Sequence, residues 1–270
     1  MKIRSLSRLI PVAAAAAALS LFGSGLATAQ AATGSTGTPT SAPFTFDDWG
    51  TCPVGDPDVA TCATVLVRSG TATIGSLSVP LSDGALKIAG GVKYVFGDDG
   101  SFSQVFVPAP GTRKGVVSNP ISVPGGVFGF EGPLGLSSVT VTLEPVETPT
   151  IDLFTFNLKL PVRMKLSNAL LGNNCYIGTS ANPIRLNLET PNQNGNDAEA
   201  IGNHPGAVFR AIPHNDRTFA VPGATGCGAL GSLNWAVNLR TGTPSASGSN
   251  AIDTVSDIYN VGAYDVPTQA

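Results

Sequence analysis

His204 and His214 are the only imidazoles in the chain, so they come first among residues that could do chemistry. Nucleophilic hydrolysis needs a Ser or Cys beside a base, most often His. Both histidines sit in turn-like settings, Asn203-His204-Pro205-Gly206 and Pro213-His214-Asn215-Asp216, and no G-x-S-x-G elbow occurs. They read as loop histidines bonded to backbone or water. Glycoside hydrolysis needs two carboxylates across a sugar. Asp47-Asp48, Asp98-Asp99, Glu144, Glu147 and Asp152 are available, but neighbouring residues of a strand point to opposite faces. The doublets therefore read as turns. Asn192, Asn194, Asn196, Asp197 and Glu199 offer oxygens for calcium, without the alternating acidic pattern of a calcium loop. Gly90-Gly91 and Gly125-Gly126 lack the helix and lysine of a phosphate loop. From these residues we assign no catalytic set, no metal site and no cofactor.

The cysteines are more informative. Cys52, Cys62, Cys175 and Cys227 are four in number, an even count that reads as two disulfides in an exported chain. No pair has the C-x-x-C spacing of a metal site. Three pairings exist, and the sequence favours Cys52 with Cys62 and Cys175 with Cys227. The first pair brackets Pro53, Gly55, Asp56 and Pro57, a turn-forming stretch. The second pair sits in two similar settings, Gly172-Asn173-Asn174-Cys175 and Gly223-Ala224-Thr225-Gly226-Cys227.

Export itself is read from the start of the chain. Lys2, Arg4 and Arg8 precede an apolar run with alanine at every position from 13 to 18, and Ala27-Thr28-Ala29 follows. Basic, apolar and small-residue parts in that order describe a signal peptide over residues 1–29. The apolar part is short for a membrane span. Residues 30–43 read as a flexible Ser/Thr/Gly/Pro leader. Loss of residues 1–29, with three basic and no acidic residues, takes the net charge from −3 to −6. Such a chain lacks the basic surface that nucleic acid or anionic lipid would need.

The elements that would position these residues are extended. Charged residues make up 12% of the chain, and 32 Gly and 21 Pro punctuate it, which favours turns over long helices. Val139, Val141 and Leu143 alternate with polar residues. Phe154, Phe156, Leu158, Leu160, Val162, Met164 and Leu166 hold the even positions of the next stretch, and Ile184, Leu186 and Leu188 repeat the pattern. Period two puts one face in a core and the other in water. Pro161 implies an edge, a bend or two successive strands. Asp98-Asp99-Gly100 predicts a hairpin. Gly90-Gly91 should break the run Leu86–Phe96, and 107–126 reads as a long loop. A polar loop is expected over 192–203, with short strands over 207–212 and 218–221. Leu230, Leu233 and Val237 have helical spacing. Ala251, Ile252, Val255, Ile258 and Tyr259 match a helix face, yet the frequent β-branched residues lean this last stretch to strand, and both readings stay open.

One resemblance joins these pieces. Cys52-Pro53 with Cys62, the Leu160–Leu166 segment, Gly172-Asn173-Asn174-Cys175-Tyr176-Ile177-Gly178 and Gly226-Cys227-Gly228 occur together from Cys52 to the C terminus. In that order they resemble a family of uncharacterised secreted proteins from actinobacteria such as streptomycetes and rhodococci. The resemblance implies an exported four-cysteine domain and no particular activity.

The expected fold is therefore mainly β: a single β-sandwich or partly closed barrel over residues 44–270, with one or two short helices and two disulfides. The expected role is a secreted or cell-envelope structural or binding protein without enzymatic activity. Its partner would be a cell-envelope component or an apolar small molecule, with no membrane span left after signal cleavage. Two alternatives stand beside it. One is a carrier of a lipid or other apolar ligand in a β-lined cavity. The other is an extracellular hydrolase of wall or polymer substrates.

Overall fold

The structure, a computed structural model, describes residues 42–126, 129, 137–191 and 197–267. The expected signal peptide over 1–29, the expected leader up to residue 41, and Asn192, Asn194 and Asn196 lie outside the described residues. Along the described chain run β1 (Thr61–Ile74), β2 (Leu77–Leu81), β3 (Leu86–Phe96), β4 (Phe102–Pro108) and β5 (Val116–Ser118). Then come β6 (Ile121–Val123), β7 (Val139–Pro145), β8 (Thr150–Ile151), β9 (Leu158–Ser167), β10 (Tyr176–Ile177) and β11 (Ile184–Leu188). The chain closes with β12 (Ala198–Ile201), β13 (His204–Asp216), β14 (Ala224–Thr225), helix α1 (Asn234–Thr241) and β15 (Ala251–Gly262).

Two antiparallel sheets form a mainly β, sandwich-like fold. The first has the order β12-β13-β15-β1-β3-β4, with β2 on the far end of β1 and β5 on β3. The second has the order β14-β10-β9-β7-β6, with β8 and β11 also on β9. The predicted alternation is realised in β9. Leu158, Leu160, Val162, Met164 and Leu166 are buried between the sheets, and Lys159, Arg163 and Lys165 face outward. Val65, Ile88, Ile212 and Ile252 meet them from the first sheet. At one corner the sheets are hydrogen-bonded together. Glu189 and Asn215 exchange N–H···O bonds of 2.9 Å, and the Asn187 N–H donates to the buried Asp216 carboxylate at 2.7 Å.

Central strands of the first sheet are covered on both sides, so β1 shows no alternation over residues 62–67. The outer face carries Leu66, Val208, Tyr259 and Val261, and the segment before β1 lies across it. Phe46 stacks on Tyr259 with centroids 4.4 Å apart. The Trp49 indole donates to the Pro205 carbonyl at 2.9 Å. The structure pairs Cys52 with Cys62, which fixes this segment to β1, and Cys175 with Cys227, which fixes the approach to α1 against the second sheet.

Several expectations are corrected. Gly90 and Gly91 lie inside β3 rather than breaking it. A Cβ at Gly90 would collide with the Val107 carbonyl, and one at Gly91 would sit 2.6 Å from a Val59 methyl. Here glycine permits close approach. The expected loop over 107–126 holds β5 and β6, each three residues long, and the expected loop over 192–203 holds β12. Phe154 and Phe156 leave the alternating strand. The Asp152 carboxylate accepts the N–H groups of Phe154 and Thr155, and Phe156 adopts a left-handed φ of 58°. Pro161 sits where β7 ends and β8 has yet to begin, a gap that needs no N–H donor.

Bridge removal tests how the staples act. The bridges close loops with sequence separations of 10 and 52. The double variant Cys52→Ser/Cys62→Ser should lose about 3 kcal/mol and Cys175→Ser/Cys227→Ser about 4 kcal/mol. Urea unfolding at neutral pH measures both, and the reverse order would contradict the loop-length account.

Candidate functional site

At one end of the sandwich the apolar faces do not close completely. A cavity of about 100 Å³ lies between the sheets. Ile74 of β1, Val79 of β2, Val141 of β7, Met164 of β9, Leu186 of β11 and Val237 of α1 are among its walls. Among the described residues, Arg240 and Thr241 are the only charged or hydroxyl-bearing ones lining it. The Thr241 hydroxyl is already engaged with Val237 O at 2.9 Å and the Thr243 hydroxyl at 2.8 Å. Arg240 donates to the Pro124 carbonyl at 2.8 Å.

Local interactions hold these walls apart. The buried Asn250 uses its whole side chain. Its Oδ1 accepts from Gly75 N at 2.9 Å and Ser245 Oγ at 2.7 Å, and its Nδ2 donates to Phe219 O and Ala246 O, both at 3.0 Å. Ser76 N donates to Thr241 O at 3.0 Å. These bonds tie the β1–β2 hairpin to the end of α1. On the other side, Cys227 N donates to Asn234 Oδ1 at 2.9 Å and Ala224 N to Asn238 Oδ1 at 2.7 Å. With the Cys175–Cys227 bridge they seat α1 over the cavity. Val237 points in, while Trp235 and Leu239 are exposed.

A second, smaller void of about 30 Å³ lies deeper between the sheets. Leu81, Ile121, Leu143, Leu186 and Ile252 line both voids. The inner one also meets His214 and Thr254. His214 is buried, and its Nε2 lies 2.9 Å from the Phe156 carbonyl. Because a carbonyl only accepts, Nε2 must carry the proton.

Residues singled out from sequence are scattered. Both histidines lie in β13 rather than in turns, ten residues apart, which is roughly 30 Å at the strand rise. His204 packs against the Phe46 ring at 5.7 Å. Asp47 accepts from the Thr45 hydroxyl, Asp48 from Gly50 N, and Asp99 from Ser101 N, so these acids shape turns. Burial works to raise the Glu144 pKa, but the Arg163 and Arg113 guanidiniums outweigh it and hold the carboxyl below its ordinary range. Arg185 lowers Glu147 likewise. Burial opposes the lowering of Asp152, which hydrogen bonds from Thr155, Phe154 and Gln104 prevail in producing. Glu147, Asp152 and Glu189 do line one open polar groove with Phe154 and Lys159. Glu147 and Asp152 are nonetheless held ionised, whereas a general acid needs a raised pKa. Of the calcium candidates, Glu199 is bound by Arg210 at 2.7 Å. Among the described residues no three His, Cys, Asp or Glu side chains gather as a metal cluster, and no helix is long and apolar enough to cross a membrane.

Sequence reasoning missed the cavity walls contributed by Ile121 and Val123, because three-residue strands carry no measurable period. It also missed the pairing of His214 with Thr254, which depends on the β13–β15 register.

Burial pushes the His214 imidazole below its ordinary pKa of 6.5, and the Phe156 hydrogen bond only partly opposes it. The native state thus binds fewer protons than the unfolded state as pH falls below about 6.5. Stability is full above that pH and declines below it, down to the folded-state pKa. The urea midpoint should fall between pH 7 and 5, and His214→Gln should remove part of that fall. An equal slope in the variant would contradict it. None of the family models, curated proteins or solved structures compared with the chain matches it.

Proposed function

We propose that this protein is a non-enzymatic binding protein that carries one slender apolar molecule between its two sheets. The observation that carries this reading is the cavity of about 100 Å³ with an almost wholly apolar lining. Cavities of this order and lining stay dry and take up small apolar molecules, because the walls forfeit dispersion contacts that a ligand restores. The volume falls below that of sites built for bulky ligands. A single alkyl chain is the class that fits.

Export supports the same reading. Residues 1–29 have the order of a signal peptide, and two disulfides suit an oxidising compartment. The resemblance to secreted actinobacterial proteins agrees with a carrier working outside the cytoplasm or at the cell envelope. The hydrolase alternative gains nothing from Glu144 and Glu147, which are committed to guanidiniums, or from Asp47, Asp48, Asp99 and Asp152, which shape turns.

Ligand entry is measurable through the Met164 methyl group. Saturable shifts of that methyl are expected on titration with short n-alkanes. Affinity should rise about fourfold per added methylene, from about 0.8 kcal/mol each, and level off once the cavity is full. Val141→Phe should fill the space and weaken n-hexane binding at least about tenfold, with the folded state kept. Unchanged binding in that variant would contradict the assignment.

A further inference from the structure

His214 and Thr254 stand directly opposite each other in the β13–β15 register. Both are more than nine-tenths buried, at 3% and 5% exposure. Among the described residues, His214 Nδ1 and Thr254 Oγ1 have no hydrogen-bond partner, and both residues line the inner void of about 30 Å³. With Nε2 committed as donor to the Phe156 carbonyl, Nδ1 presents a bare lone pair. The Thr254 hydroxyl can donate and accept. Two unsatisfied polar atoms buried side by side carry a desolvation cost unless something meets them.

We propose that the inner void receives the hydroxyl group of the carried molecule, which donates to His214 Nδ1 and accepts from the Thr254 hydroxyl. The ligand class is then an uncharged alkyl alcohol, its chain in the outer cavity and its oxygen at the histidine. Geometry supports this order. The two voids share the five side chains Leu81, Ile121, Leu143, Leu186 and Ile252, so a chain passing between them stays among apolar groups. The volume suits one hydroxyl oxygen, since a water-sized group needs about 10–15 Å³. Among the described residues no Lys or Arg lines the inner void, so a carboxylate or phosphate there would be a buried, unpaired charge. A plain hydrocarbon would leave both polar atoms unmet.

This inference rests on the outer cavity being a ligand site, and the test separates the two claims. Binding of 1-hexanol and n-hexane is measured on the full folded protein through the Met164 methyl shift, in the wild type and in Thr254→Val. That variant removes the hydroxyl while nearly keeping the shape. The ratio of the n-hexane to the 1-hexanol dissociation constant should fall about tenfold in the variant, the loss expected for one hydrogen bond to a buried group. In the wild type, the ¹⁵N resonance of His214 Nδ1 should move on adding 1-hexanol and stay in place with n-hexane. An unchanged ratio together with an unmoved Nδ1 resonance would mean that only water occupies the inner void, and would overturn the hydroxyl assignment while leaving the carrier reading intact. Failure of both ligands to shift Met164 would overturn both.

Discussion

The period-two burial of β9 is the constraint on which the rest depends. Leu158, Leu160, Val162, Met164 and Leu166 all face the first sheet, and four other strands, β7, β8, β10 and β11, take their register from β9. A slip of one residue would turn Lys159, Arg163 and Lys165 into the core. The cost of burying three such charges excludes that register. Once β9 is fixed, the second sheet has an inner apolar face that only another apolar face can cover, and the first sheet supplies it.

The same arrangement explains why the interior is imperfectly filled. Close packing is the rule in protein cores, and the central part of this one obeys it. Leu160, Val162, Ile184 and Ile212 are almost completely buried. Toward α1 the β1–β2 hairpin and the short helix complete the walls, and both are held by polar ties outside the core. Asn250 fixes the β1–β2 hairpin, and Asn234, Asn238 and the Cys175–Cys227 bridge fix α1. Walls anchored in this way do not collapse into the space between them. The covalent and hydrogen-bonded staples thus preserve a cavity that apolar attraction alone would close, and this connects the Cys175–Cys227 bridge to the proposed ligand carriage.

Much of the architecture was legible because it follows from local pattern. The alternation in β7, β9 and β11, the Asp98-Asp99-Gly100 hairpin and the helix after Cys227 all announce themselves through period or turn chemistry. The strand over 251–262 does not, since its apolar spacing also fits a helix face and only its β-branched residues favour the strand found there. Other elements depend on distant partners. β5 and β6 exist because β3 and β7 offer them edges, and β13 continues through Pro213 because β15 pairs with it from Ala207 to Asp216, across an irregularity between Phe209 and Ile212. Pro213 lies beyond the stretch that β12 covers, so its missing N–H leaves no bond unmade. The apolar residues of the candidate site could be named from sequence as core residues. That they surround a space could not, since a cavity is a property of how two sheets meet.

Intermolecular nuclear Overhauser effects from bound n-hexane provide the most direct test of the account. If the space between the sheets is the ligand site, contacts will appear to methyl groups of both sheets at once, Val141 and Met164 on one side and Ile74 and Val79 on the other, together with Val237 of α1. Contacts confined to exposed side chains such as Phe96, Phe102 and Trp235 would show that apolar molecules settle only on the surface, and would contradict it.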